Sequence, residues 1–146
     1  MGWSGEVMSE ALISDLVLTD EHATVGVDDS VVEGTKRLID MPGGVLIVLG
    51  EDDSVKGVLG TKQILSAVAE GRDLSKSTCG ENMELDVMQV KMDEKISEVL
   101  PVINERKPQA VVAVDEDGTF SGYFSPNDYR QAMSKIDNMP AIRALE

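Results

Sequence analysis

The sequence predicts a mixed α/β (α+β) fold: two β-α-β-β-α units related by pseudo-twofold symmetry, with their sheets packed face to face. Three observations predict it. Slid by 65 residues, VGVDDSVVEGTKRLIDMPGGVLIVLGEDDSVKG (25–57) lies over VKMDEKISEVLPVINERKPQAVVAVDEDGTFSG (90–122) without a gap. Each half repeats one order of patterns: an apolar stretch, an acidic turn, an amphipathic segment, a five-residue apolar run, a second acidic turn, and a Gly entering another strand-like stretch. A unit this small cannot bury both faces of its own sheet, whereas two units can pack sheet on sheet and share a core. The identities are few (Val25/Val90, Asp28/Asp93, Glu33/Glu98, Glu51/Glu116, Asp52/Asp117, Gly57/Gly122), so the pattern carries the comparison.

The elements follow in order. Val31, Thr35, Leu38 and Ile39 form an apolar helical face in the first half. Ile96, Val99, Leu100 and Ile103 form a cleaner one in the second, at i, i+3, i+4 and i+7. Asp28 and Asp93 are the expected N-caps, since a carboxylate there accepts the unpaired first-turn N–H groups. Gly43-Gly44 is expected to end the first helix. Pro101 is expected to kink or shorten the second, because it removes a helical hydrogen bond. VLIVL (45–49) and AVVAV (110–114) are continuous apolar runs and read as strands buried on both faces. EDDS (51–54) and DEDGT (115–119) read as turns, with Gly118 supplying positive φ. KGVLG (56–60) and SGYFS (121–125) are the return strands, and TKQILSAVAEG (61–71) and PNDYRQAMSKI (126–136) the closing helices. Met83, Met88 and Met92 read as core filling. The chain thereby divides into an N-terminal extension (1–12), a first repeat (13–77), a second repeat (78–137) and a C-terminal tail (138–146). The residues before Met8 and the final Leu145-Glu146 are candidates for sequence left by expression.

Composition excludes several classes of function. Apolar residues make up 42% of the 146, enough for a core, and no apolar run reaches the roughly 20 residues that span a bilayer. The net charge of −14, from 27 acidic and 13 basic residues, argues against nucleic acid and against an anionic membrane as partners. Cys79 is the lone cysteine, which rules out an intramolecular disulfide and reads as a cytoplasmic location. Cys79 and His22 are not placed together by the pattern, and no set of metal ligands or convergent acid, base and nucleophile is visible. A catalytic role is therefore not expected.

The second half carries AVVAVDEDGTFSGYFSPNDY, which fits "apolar run, D-E-D-G, strand, G-h-h-[ST]-x-x-D", with h apolar. Gly122, Tyr123, Phe124, Ser125 and Asp128 fill the motif. In the first half, VLIVLGEDDSVKGVLGTKQIL fits until its end, where Gly60 and Gln63 stand at the Ser/Thr and Asp positions. Over roughly residues 13 to 136 the chain resembles a tandem CBS-domain pair, or Bateman module. The resemblance implies a regulatory module that binds an adenosine-containing ligand (AMP, ADP, ATP or S-adenosylmethionine) between its repeats. It also implies a homodimer and no catalytic activity of its own.

The chemistry maps onto residues. Asp128 matches the position whose carboxylate accepts from ribose hydroxyls, as charge-assisted bonds. Ser125 stands at a helix N-terminus, where N–H groups and the dipole favour phosphate. Pro126 has no N–H, so the expected donors are the Asn127 and Asp128 amides and the Asn127 side chain. Tyr123 and Val111 match the adenine walls, and the helix-to-strand junctions add Gly43, Gly44 and Val45 from the first half and Gln109 and Ala110 from the second. Relatives that hold polyphosphates carry Arg, Lys or His at such junctions. Here they are Gly, Gln and Ala, with Lys107 nearby, which favours an AMP-like ligand and one site per chain.

Ser125-x-x-Asp128 is also a capping box. The repeat provides a control: GVLGTKQIL starts a helix at the same place without Ser or Asp, which turns the balance toward a ligand. Two functions compete. One is an adenosine-ligand sensor acting on a further, unidentified protein target; the other is a structural dimerisation module with empty pockets.

Overall fold

A computed structural model describes residues 11–18 and 21–137. Both expected terminal extensions lie largely outside those residues. The order is β1 (His22–Gly26), α1 (Val31–Ile39), β2 (Val45–Leu49), β3 (Val55–Leu59), α2 (Thr61–Ala69), a short α3 (Cys79–Asn82), β4 (Val87–Lys91), α4 (Ile96–Arg106), β5 (Ala110–Val114), β6 (Phe120–Phe124) and α5 (Pro126–Asp137). Each repeat builds one three-stranded sheet, β1-β2-β3 and β4-β5-β6. In both, the first pair is parallel and the second antiparallel. The 65-residue period holds to the residue: His22 faces Val45 as Val87 faces Ala110, and the β-bulge between Val48 and Leu49 recurs between Ala113 and Val114.

Alternation along the strands sorts the core into layers, since successive side chains leave a strand on opposite faces. Leu46 and Val48 turn to the helices of repeat one, and Val111 and Ala113 to those of repeat two. Ile47, Val55, Val58, Val112 and Val114 form the layer between the sheets. Burial on both faces explains why VLIVL and AVVAV read as unbroken apolar runs. Met88 is buried, and Met83 and Met92 pack against the cores.

The segments before each repeat dock crosswise. Ile13 and Leu16 lie in the core of repeat two, and Cys79 lies in that of repeat one. Leu12 bridges to Lys95, and Ser30 to Thr78. This explains how the helices start. Ser30, not Asp28, caps α1, its Oγ accepting from Val32 N at 3.1 Å. Lys95, not Asp93, precedes α4 and makes no side-chain cap bond. The Val31 and Ile96 amides donate to the carbonyls of Ser77 and Ala11, supplied by those crossing segments.

Three further expectations are corrected. Helix α1 ends at Asp40, before Gly43 (φ 81) and Gly44, which belong to the loop into β2. Ile39 is 71% exposed; the buried α1 positions are Val31, Gly34 and Leu38. A Cβ at Gly34 would come within 2.9 Å of the Leu46 side chain, which is why that turn approaches the sheet. Pro101 sits exposed inside α4, which still runs to Arg106 and ends on Lys107 at φ 50. Gly118 has φ 83, and the matching residue of repeat one, Asp53, takes φ 61.

Candidate functional site

The junction of β6 and α5 is held by a complete capping box. The Ser125 amide donates to Asp128 Oδ2 at 2.9 Å and the Ser125 hydroxyl to the same oxygen at 3.0 Å. The Asp128 amide donates back to Ser125 Oγ at 3.1 Å. Both residues are buried, at 5% and 3% exposure. The equivalent junction in repeat one keeps half the box: the Gly60 amide donates to Gln63 Oε1 at 2.7 Å. The first repeat therefore does not start its helix unaided. Gln63 performs the reach-back that Asp128 performs in repeat two.

This changes the inventory of donors for an anion. The Asp128 amide and the Ser125 hydroxyl proton, both expected to face a phosphate, are engaged within the box. Tyr129 N donates to the Ser125 carbonyl. Among the described bonds, the Asn127 amide is the first-turn donor left unused.

Two depressions flank the junction. A cleft of about 330 Å³ lies between the repeats, lined by Glu21, Pro42 and Gly43 from the first and Tyr123, Ser125, Pro126, Asn127 and Arg130 from the second. A cavity of about 350 Å³ lies between α4 and α5 and takes in Gln109, Ala110, Val111, Tyr123 and Ser125. Of the expected site residues, Gly43, Tyr123, Ser125 and Asn127 thus meet in the cleft, while Gln109, Ala110 and Val111 line the neighbouring cavity. Gly44, Val45 and Asp128 line neither. Val45 packs in the layer between the sheets, and Asp128 is buried behind Ser125. Tyr123 and Val111 belong to different core layers, yet both line the α4–α5 cavity, together with Gln109, Ala110 and Ser125.

The sequence reading missed Arg130, which lines both depressions. Its signal was the i, i+4 spacing from Pro126, which puts it on the same helix face. Lys107 joins it on the cavity lining. The basic groups missing at the helix-to-strand junctions are thus partly replaced from α5 and from the end of α4.

The acidic turns lie at the opposite edge. The β2–β3 and β5–β6 turns meet there, with the Phe120 amide donating to the Asp53 carbonyl. A five-residue strand is about 17 Å long. That is roughly two Debye lengths at physiological salt. The negative charge of those turns is therefore largely screened at the cleft. Asp52 there has its pKa lowered by hydrogen bonds from the Ser54 hydroxyl and amide.

His22 and Cys79 do separate things. The His22 ring lies edge-on to Phe120 and Tyr123, at centroid distances of 5.5 and 6.3 Å. Cys79 is fully buried, with Sγ 3.6 Å from the Ser30 carbonyl. Burial pushes its thiol pKa up, Asp29 adds to the rise, and Arg37 opposes it. Among the described residues no group of His, Cys, Asp and Glu could hold a metal ion, and no helix is long and apolar enough to cross a membrane.

A family model described as CBS domain matches residues 81–135. A search of curated proteins found no match. Among solved structures, a CBS domain-containing protein of unknown function from Bacillus anthracis is similar at a TM-score of 0.72 and 18% identity, over 89% of this chain and 97% of that one. CBSX2, solved in complex with AMP, is similar at 0.69 and 20%, over 88% and 99%. The CBS domain of a bacterial CNNM/CorC family Mg2+ transporter, solved with ATP, is similar at 0.72 and 16%, over 91% and 94%. Residues 81–135 are therefore a CBS domain, and the two repeats together have the fold of a CBS-domain pair.

Proposed function

We propose that the protein is a regulatory module that binds one adenosine-containing ligand per chain, AMP-like, in the cleft between its repeats, and that it is not an enzyme. The observation that carries this reading is the meeting of Gly43 from repeat one with Tyr123, Ser125, Asn127 and Arg130 from repeat two. Phosphate sits at the start of α5, taking the Asn127 amide and the Arg130 guanidinium. The adenine lies along Tyr123. The ribose hydroxyls donate to Asp128 once the Ser125 side chain, which covers that buried carboxylate, rotates out of the capping box toward the phosphate. That exchange replaces one O–H donor with another, so the carboxylate keeps its partners. AMP with CBSX2 and ATP with the CNNM/CorC domain lend this ligand class support. ADP and S-adenosylmethionine share the adenosine body and belong to the same test. Repeat one, with Gly60 and Gln63, lacks both the hydroxyl and the charge.

The module acts as a homodimer in this reading and passes the state of its cleft to a protein target. Ile39, Leu65 and Val68 leave an exposed apolar face on α1 and α2, at 71%, 62% and 57% exposure. Such patches mark association surfaces. The expected location is cytoplasmic.

A second reading, a dimerisation module with empty clefts, is favoured by the capping box, which accounts for Ser125 and Asp128 without a ligand. Thermal unfolding separates the two. A ligand at 100 times its Kd stabilises the folded state by about 2.7 kcal/mol. A rise in melting temperature with millimolar AMP supports the sensor. No rise with AMP, ADP, ATP or S-adenosylmethionine leaves the dimerisation module.

A further inference from the structure

The two repeats share one backbone plan, so equivalent helix positions serve as controls for each other. On α1, Val32 and Ile39 lie on one stripe, seven residues apart; on α2, Leu65 and Val68 lie three apart. All four are exposed, and α1 packs beside α2, so they join into one apolar face. The same positions of α4 and α5 hold Ser97, Asn104, Arg130 and Met133. The apolar face therefore belongs to repeat one alone and is not required by the fold.

Charge selects the occupant of that face. The chain carries −14, so two copies repel over most of their surface. On α1 and α2 the balance differs: Glu33, Asp40 and Glu70 are matched by Lys36, Arg37 and Lys62. A neutral apolar patch is where a second copy of an acidic chain can approach, whereas a basic partner would be drawn to the acidic turns. Twofold association also needs a patch that complements itself, as a patch of Val, Ile and Leu does. Laid on the helices of repeat two, the same patch would bury Asn104 and the Arg130 guanidinium against aliphatic side chains, and an unpaired buried charge is costly.

We infer that two copies join head to head, repeat one on repeat one, through α1 and α2 about a twofold axis, and that α4 and α5 stay outside the interface. This rests on the homodimer reading of the apolar face. It leaves α5, whose first turn borders the cleft, open in both copies to a protein target.

Cross-linking of the full chain tests the arrangement, with sedimentation as the control on oligomeric state. Val68→Cys and Met133→Cys put one thiol at the same exposed place in either repeat. The wild type is the blank, because Cys79 is buried. With a flexible bismaleimide, Val68→Cys is expected to give covalent dimer as its main product, and Met133→Cys to run as monomer on a denaturing gel. In an equal mixture, mass spectrometry is expected to find links between two position-68 thiols and none between positions 68 and 133. In a protein that sediments as a dimer, cross-linked Met133→Cys, uncross-linked Val68→Cys, or a link between positions 68 and 133 overturns the head-to-head arrangement alone. A wild type that sediments as a monomer even at high concentration overturns the homodimer reading and this inference with it.

Discussion

Replacing Asp128 by Ala and by Gln separates the cap from the ligand site. In the wild type Asp128 Oδ2 accepts from both the amide and the hydroxyl of Ser125, a residue only 5% exposed. Ala removes that shared acceptor and strands the amide. A buried donor left unpaired costs about 1–3 kcal/mol, and loss of a helix cap about 1 kcal/mol. These overlap, so Asp128→Ala should destabilise by about 2 kcal/mol. For a domain of this size that lowers the melting temperature by roughly 6–10 °C. Gln should behave differently, because Gln63 already makes this bond in repeat one, at 2.7 Å to the Gly60 amide. Asp128→Gln should lose less than about 1 kcal/mol, chiefly for fitting one more methylene. It nevertheless removes the charge that a ribose would use. Thermal and urea unfolding followed by far-UV circular dichroism measure both variants. Equal destabilisation by Ala and Gln would refute the capping role drawn from the repeat, as would no effect of Ala.

Two further outcomes follow from the packing. Cys79 should resist a thiol reagent in the native state and react fully in denaturant. Because its thiol pKa is raised on folding, the unfolded thiol ionises first, so stability should fall as pH rises past about 8.5. Rapid native labelling would contradict its full burial. Leu65→Arg gives repeat one the residue that repeat two carries at Arg130. It should turn the proposed homodimer into monomer by sedimentation, with the melting curve little changed, because Leu65 is 62% exposed. An unchanged dimer would move the interface elsewhere.

The repeat made most of the fold legible. A period of 65 residues, written in apolar runs, acidic turns and a Gly, located β2, β3, β5 and β6 to within a residue because each half checked the other, and left β1 and β4 as apolar stretches without bounds. What escaped was non-local. Asp28 and Asp93 are sound caps by local rules, yet the Val31 and Ile96 amides find carbonyls at Ser77 and Ala11, far away in sequence. No local window contains those partners. Ile39 looked like core by spacing, but α1 turns Gly34 to the sheet instead, so close that a side chain there would strike Leu46. At the site, the capping-box reading gave the pairing of Ser125 with Asp128, while their burial was not read from the sequence. Which residues meet was not local: Gln109, Ala110 and Val111 share a cavity with Tyr123 and Ser125, while Gly43 and Asn127 meet those same two residues in the cleft. Arg130 was readable from helical spacing once α5 was fixed to start at Pro126.

The central claim is that repeat two's junction holds an adenosine ligand. Its most direct test is the melting temperature of the wild type and of Asp128→Gln, each with and without millimolar AMP. A clear rise in the wild type, lost or much reduced in Asp128→Gln while the ligand-free variant melts near the wild type, is the predicted result. The same rise in both proteins would contradict the placement of the ribose on Asp128. No rise in the wild type with AMP or any other adenosine ligand would contradict the claim itself.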